Sequence, residues 1–124
     1  MEAIKSILNK FGYKTIEEVP NDKYAEISIE NHDDLIIEKI SPNRISVSHT
    51  YLQNGDIMRD PEIVFKEIDD SWVAVMYQQD STGTYKQDEQ GLKSTTTFAH
   101  NTWNKNIEEQ GYIEAAEQQE EIFT

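Results

Sequence analysis

Residues 45–65 read ISVSHTYLQNGDIMRDPEIVF: two β-rich runs joined by Asn54-Gly55, the second interrupted by Asp60-Pro61. A type I′ turn needs positive φ at both central residues, and Asn-Gly meets that need, so the stretch predicts a β-hairpin. With a two-residue turn, Gln53 pairs with Asp56 and Tyr51 with Met58, which sets Ile45, Val47, His49, Tyr51 and Met58 on one face. Carried further, that register turns Ile63 and Phe65 outward. One extra residue at Asp60-Pro61 restores them, bringing Ile63 opposite Val47 and Phe65 opposite Ile45. Proline within a strand is tolerated at bulges and edges, so a bulge is predicted there.

The alternation extends to both sides of the hairpin. Ala25, Ile27 and Ile29 alternate with Tyr24, Glu26, Ser28 and Glu30, the period of a half-buried strand. Further strands are expected over 34–40, 44–53, 56–68 and 72–79, with a weaker one over 84–88. The links, Asn31–Asp33, Ser41-Pro42-Asn43, Asn54-Gly55, Asp69-Asp70-Ser71 and Asp80–Gly83, are short enough to favour an antiparallel meander. Ile4, Ile7, Leu8 and Phe11 recur at helical spacing, giving a helix over 2–11 that Gly12 ends, with Tyr13 packing back on Leu8 in a Schellman cap. Phe98, Ala99, Trp103 and Ile107 give a second helix over about 95–110, which Gly111 stops, with Tyr112 placed to meet Ile107. Thr15 and Glu18 have capping-box spacing before Pro20. The expected fold class is therefore α+β: an antiparallel meander of five or six strands with N- and C-terminal helices packed on one face. Trp72, Trp103, Phe98, Ile4, Leu8 and Phe11 are expected to anchor that interface.

At 124 residues the chain supports one domain, read as residues 1–112, followed by an acidic tail, 113–124, expected to fray. A hydrophobic fraction of 36% and a charged fraction of 28% imply a small core and a heavily solvated exterior. There is no cysteine, hence no disulfide and no thiolate ligand. The amphipathic start, MEAIKSILNKFGY, is neither a signal peptide nor a membrane span, and cytoplasmic residence is the expectation. Eleven basic residues against 24 acidic ones give a net charge of −13, which opposes binding to a phosphate backbone.

Chemistry is sparse. His49 with Asp56, Asp60 and Glu62 offers an imidazole and carboxylates for a divalent ion or for acid-base work, but the spacing matches no known ligand pattern. The simpler reading assigns Asp56 to the turn, Asp60 to the bulge and His49 to a hydrogen bond within the sheet. Tyr77, Gln78, Gln79 and Asp80 form a second candidate surface, rich in donors, acceptors and flat area. No serine elbow or phosphate-cradling glycine loop is present, and Trp72 and Trp103 fall in apolar patterns that place them in the core.

The segments HTYLQNGDIMRDPEIVF, YQQDSTGTYK and FAHNTWNKNIEEQGY resemble an uncharacterised domain family found in proteins of conjugative transposons, plasmids and phages. The likeness covers residues 34–112 and rests on the QNGD-x-M-x-DPE hairpin and the FA-x-x-TW-x-x-NI-x-x-QG-aromatic helix. It implies a mobile-element setting and no particular reaction. The expectation is then a non-enzymatic accessory module that binds a protein partner through an acidic surface and the 54–62 hairpin region. The binding residues are expected among His49, Tyr51, Asn54, Asp56, Arg59, Asp60, Glu62, Tyr77, Gln78, Gln79 and Asp80, with no catalytic residue, metal or cofactor. Two alternatives are an acidic nucleic-acid mimic acting on a host defence protein and a metal-dependent enzyme using His49, Asp60 and Glu62.

Overall fold

The computed structural model describes residues 1–119 and 123. Helix α1, Glu2–Lys10, leads into six strands: β1 Tyr24–Ile27, β2 Asp34–Ser41, β3 Arg44–Gln53, β4 Asp56–Ile68, β5 Ser71–Gln79 and β6 Thr84–Gln87. They form one antiparallel sheet in sequence order, as the short links require. A continuous helical run follows: α2 Lys93–Phe98, a π-helical turn Ala99–Trp103 and α3 Asn104–Gln110, with α4 Tyr112–Glu117 after it. The fold class is α+β, as the pattern predicted.

The hairpin folds as its residues dictate. Asn54 and Gly55 take φ of 54° and 87°, the two positive values of the I′ turn, and Gln53 faces Asp56 while Tyr51 faces Met58. Val47 meets Ile63 and Ile45 meets Phe65, because the register shifts by one residue between Thr50 and Ser48, where Asp60 and Pro61 lie on the opposite strand. A second bulge, at Val75 on β5, lies where the pairing passes from Val64 with Met76 to Phe65 with Ala74.

The helices cover one face of the sheet. Ala25, Ile27, Leu35, Ile37, Ile45, Val47, Ile63, Phe65, Trp72 and Ala74 are buried there against Ile4, Ile7 and Leu8 of α1 and Ala99, Trp103 and Ile107 of the C-terminal run. Each fully buried aliphatic side chain of this set contributes about 1.5–3 kcal/mol relative to exposure. α1 ends as foreseen: Gly12 at φ 92° lets its own N–H donate to the Asn9 carbonyl and the Tyr13 N–H to the Leu8 carbonyl.

Gly111 ends α3 as read: at φ 93° it is left-handed and the Glu108 and Ile107 carbonyls accept the backbone N–H groups of the cap, after which the chain turns into α4 and the Tyr112 hydroxyl donates to the Asp33 carbonyl. Two expectations are corrected. Phe98 is 38% exposed, because the buried stripe runs Ala99, Trp103, Ile107 and Phe98 precedes it by one residue, about 100° around the helix. The stretch from 113 onward, read as a fraying helical tail, is helical in α4, Tyr112–Glu117, and Ala116 is buried next to Tyr112. Phe123 bridges to Ala25 and sets its ring edge-on to Phe11 and Tyr13. Residues 120–122 and 124, including Glu120 and Glu121, lie outside the described residues.

Candidate functional site: the helix-free face of the sheet

Strand alternation leaves the other face open. On β3, Ser46, Ser48, Thr50 and Leu52 point away from the helices, and small side chains here produce a trough between larger ones on β2 and β4. The result is a groove of about 650 Å³, lined on the β1–β2 side by Tyr24, Glu26, Asp34, Ile36 and Glu38 and on the β4 side by Ile57, Arg59 and Glu62. Its far end is closed by Leu52 and Ile57, which pair directly across the hairpin next to the turn and are 72% and 64% exposed. This exposed cross-strand aliphatic pair gives the groove an apolar end beside its polar lining.

The lining is strongly acidic. Glu26, Asp33, Asp34, Glu38 and Glu62 face one guanidinium, that of Arg59. Arg59 lies 3.6 Å from Glu62, whose other oxygen accepts from the Ser46 hydroxyl. The Glu26 carboxyl is held above its ordinary range, chiefly by hydrogen bonding to the Asp34 side chain, then by burial and by the Asp34 charge. Asp34 also accepts from the Ser28 hydroxyl at 2.8 Å. Burial, followed by the charges of Asp60 and Asp34, raises the Asp33 carboxyl as well. Crowded carboxylates raise one another because each ionisation adds like charge to a partly desolvated site.

The expected binding residues scatter. Tyr51, Arg59 and Glu62 line the groove, and Asn54 and Asp56 flank the turn at its end. His49 is on the opposite face, 9% exposed, between the rings of Trp103 and Tyr112. Asp60, in the bulge, accepts from the Ser81 hydroxyl. Tyr77, Gln78, Gln79 and Asp80 largely satisfy one another: Tyr77 donates to Gln79, Gln78 to one oxygen of Asp80, and the Arg59 N–H to the other. Tyr77 and Gln79 also line a shallower groove of about 340 Å³ with Thr84, Lys86, Ser94, Thr95 and Phe98.

The metal-enzyme alternative required His49, Asp60 and Glu62 to converge. Instead His49 faces the core, Glu62 the open face and Asp60 the Ser81 hydroxyl, and among the described residues no group of three or more His, Cys, Asp or Glu is placed to hold an ion. The tautomer of His49 points the same way. Trp103 Nε1, a donor only, lies 3.1 Å from His49 Nδ1, so Nδ1 accepts and the proton resides on Nε2. A ring protonated at Nε2 offers no free lone pair for a metal or for a substrate proton. Burial, with a smaller contribution from His32, lowers its pKa to about 4, which keeps the ring neutral.

Sequence reading missed most of the groove: Tyr24, Glu26, Asp33, Asp34, Ile36, Glu38, Ser46, Ser48, Leu52 and Ile57. The signal was present in the alternation, as the positions out of phase with the buried ones. A family model described as "Domain of unknown function (DUF6908)" matches residues 2–113. No curated protein and no solved structure matches the chain.

Proposed function

Starting from the chain's membership of the DUF6908 family, which carries no assigned activity, we propose that this protein is a non-enzymatic interaction module whose docking surface is the open face of the sheet. The observation that carries the reading is the acidic groove closed by the exposed Leu52–Ile57 pair. Docking energetics concentrate where apolar anchors sit beside a polar, partly desolvated rim, and the hairpin end of the groove supplies both. The resemblance of residues 34–112 to domains of conjugative transposons, plasmids and phages supports a role as an accessory protein of a mobile element.

The mimic alternative asks for carboxylates ranked on one face. The described acids are not ranked on one face: five line the groove, Glu108, Glu109, Glu114 and Glu117 are exposed on the helical side, and others lie in the turns between strands. This division favours the docking reading.

The test compares tagged wild-type protein with Leu52→Glu/Ile57→Glu and with the helix-side variant Glu109→Lys, each captured from cells of its host after its melting curve is verified. A partner retained by wild type and Glu109→Lys and lost by the double variant supports the proposal. Equal retention by all three refutes it.

A further inference from the structure

Resting on the docking reading, we infer that the groove takes an extended, arginine-bearing segment of a partner protein. Its guanidinium groups meet the Glu26, Asp34, Glu38 and Glu62 carboxylates, and its apolar side chains meet Tyr24, Leu52 and Ile57.

Shape supplies the first part. Ser46, Ser48 and Thr50 form a floor of small side chains along β3, flanked by Ile36 and Glu38 on β2 and by Arg59 and Glu62 on β4. From Ser46 to Leu52 the strand rises about 20 Å, the length of roughly six extended residues. A trough parallel to a strand and floored by hydroxyls admits a backbone closely, where a bulky floor would hold it away.

Charge supplies the second. Five carboxylates line the trough against one guanidinium, and that guanidinium is already engaged with Glu62. A cationic occupant relieves this crowding, and an anionic one adds to it. Arginine suits the site better than lysine, since its planar fork donates to two oxygens at once and sheds water more readily, as neighbouring carboxylates at Glu26 and Asp34 invite.

An unused hydroxyl on the floor is the third and independent observation. Ser48 is 5% exposed and lines the groove, and its Oγ makes no hydrogen bond among the described residues, whereas the neighbouring Ser46 hydroxyl donates to Glu62. The residue is nearly buried while its Oγ opens on the trough with no protein partner among the described residues, so its donor and acceptor sites are available to a group that enters there. A backbone carbonyl or N–H of an extended segment is such a group.

The probes are an acetylated octapeptide of alternating arginine and leucine and its citrulline counterpart, which keeps the length and planar shape of the side chain but loses the charge and exchanges two N–H donors for a carbonyl oxygen. Each is titrated into isotope-labelled full chain at moderate salt, with amide chemical shifts as the readout. The expected result is saturable shifts at Glu26, Ser46, Ser48 and Leu52, at least tenfold weaker binding of the citrulline peptide, and a similar loss in Glu26→Gln/Glu38→Gln but not in Glu114→Gln. Equal affinity for both peptides at the groove overturns the cationic occupant while leaving docking intact. Shifts spread equally over the helix-side acids, or no groove shifts at all, also overturn it; the capture comparison with Leu52→Glu/Ile57→Glu judges docking separately.

Discussion

His49 gives the fold a defined sensitivity to acid. Its ring is 9% exposed, accepts the Trp103 N–H at Nδ1, and has a pKa lowered from 6.5 to about 4, first by burial and then by His32. The folded state therefore binds this proton less tightly than the unfolded chain. Stability from His49 is complete above the unfolded pKa and is lost as pH falls through the interval from 6.5 to 4. At 1.36 kcal/mol per unit, the full interval is worth about 3 kcal/mol, and the part between pH 7 and 4.5 about 2.5 kcal/mol. Other groups titrate nearby: burial lowers the Met1 amine to about 6, and Glu26 and Asp33 are shifted upward with the opposite sign. The readout is accordingly a difference. Urea unfolding of wild type and His49→Asn at pH 7 and 4.5 is expected to show wild type losing about 2.5 kcal/mol more than the variant, whose amide oxygen still accepts from Trp103 but does not titrate. Equal losses in the two proteins refute the account of a buried neutral ring.

Three further outcomes follow from particular contacts. Gly91 has φ 109°, and a Cβ there falls 2.8 Å from Val73 Cγ1, so Gly91→Ala is expected to cost about 1–3 kcal/mol in urea unfolding, and an unchanged midpoint contradicts this. Leu52→Glu/Ile57→Glu removes a cross-strand aliphatic pair beside the turn and sets two like charges opposite each other, so it is expected to cost about 1–2 kcal/mol, while a loss of cooperative unfolding would show the pair to be structural. Because the folded pKa of Glu26 is raised, its neutral form favours folding. That contribution is present below the unfolded pKa and lost as pH rises through the folded one, so Glu26→Gln is expected to be more stable than wild type at pH 7, with the gap closing towards pH 4. A gap that widens on acidification excludes the shift.

How much of this was legible in the sequence depends on the range of the signal. The hairpin, its bulge and the pairing of Val47 with Ile63 follow from turn chemistry and a period of two, both local, and they are found as read. Phe98 was misplaced because it adjoins the apolar stripe without belonging to it. The stretch after Tyr112 reads as a fraying helix because its acids suggest a solvated end, whereas Ala116, together with Tyr112 just before it, finds the core through α4. His49 drew attention as a titratable group beside carboxylates, and only the fold shows that alternation turns it towards Trp103 and away from Glu62. The groove was hardest to see, since it is assembled from four strands and its floor is made of serines that no motif marks.

The open face as the docking surface is tested most directly by placing a photo-crosslinking amino acid at Leu52, at the mouth of the groove, and at Glu109, on the helical side, and irradiating living host cells. The account predicts one discrete covalent partner from position 52, suppressed by Glu26→Gln/Glu38→Gln, and none of that species from position 109. The same adduct from position 109 alone, or from both positions equally, would contradict it.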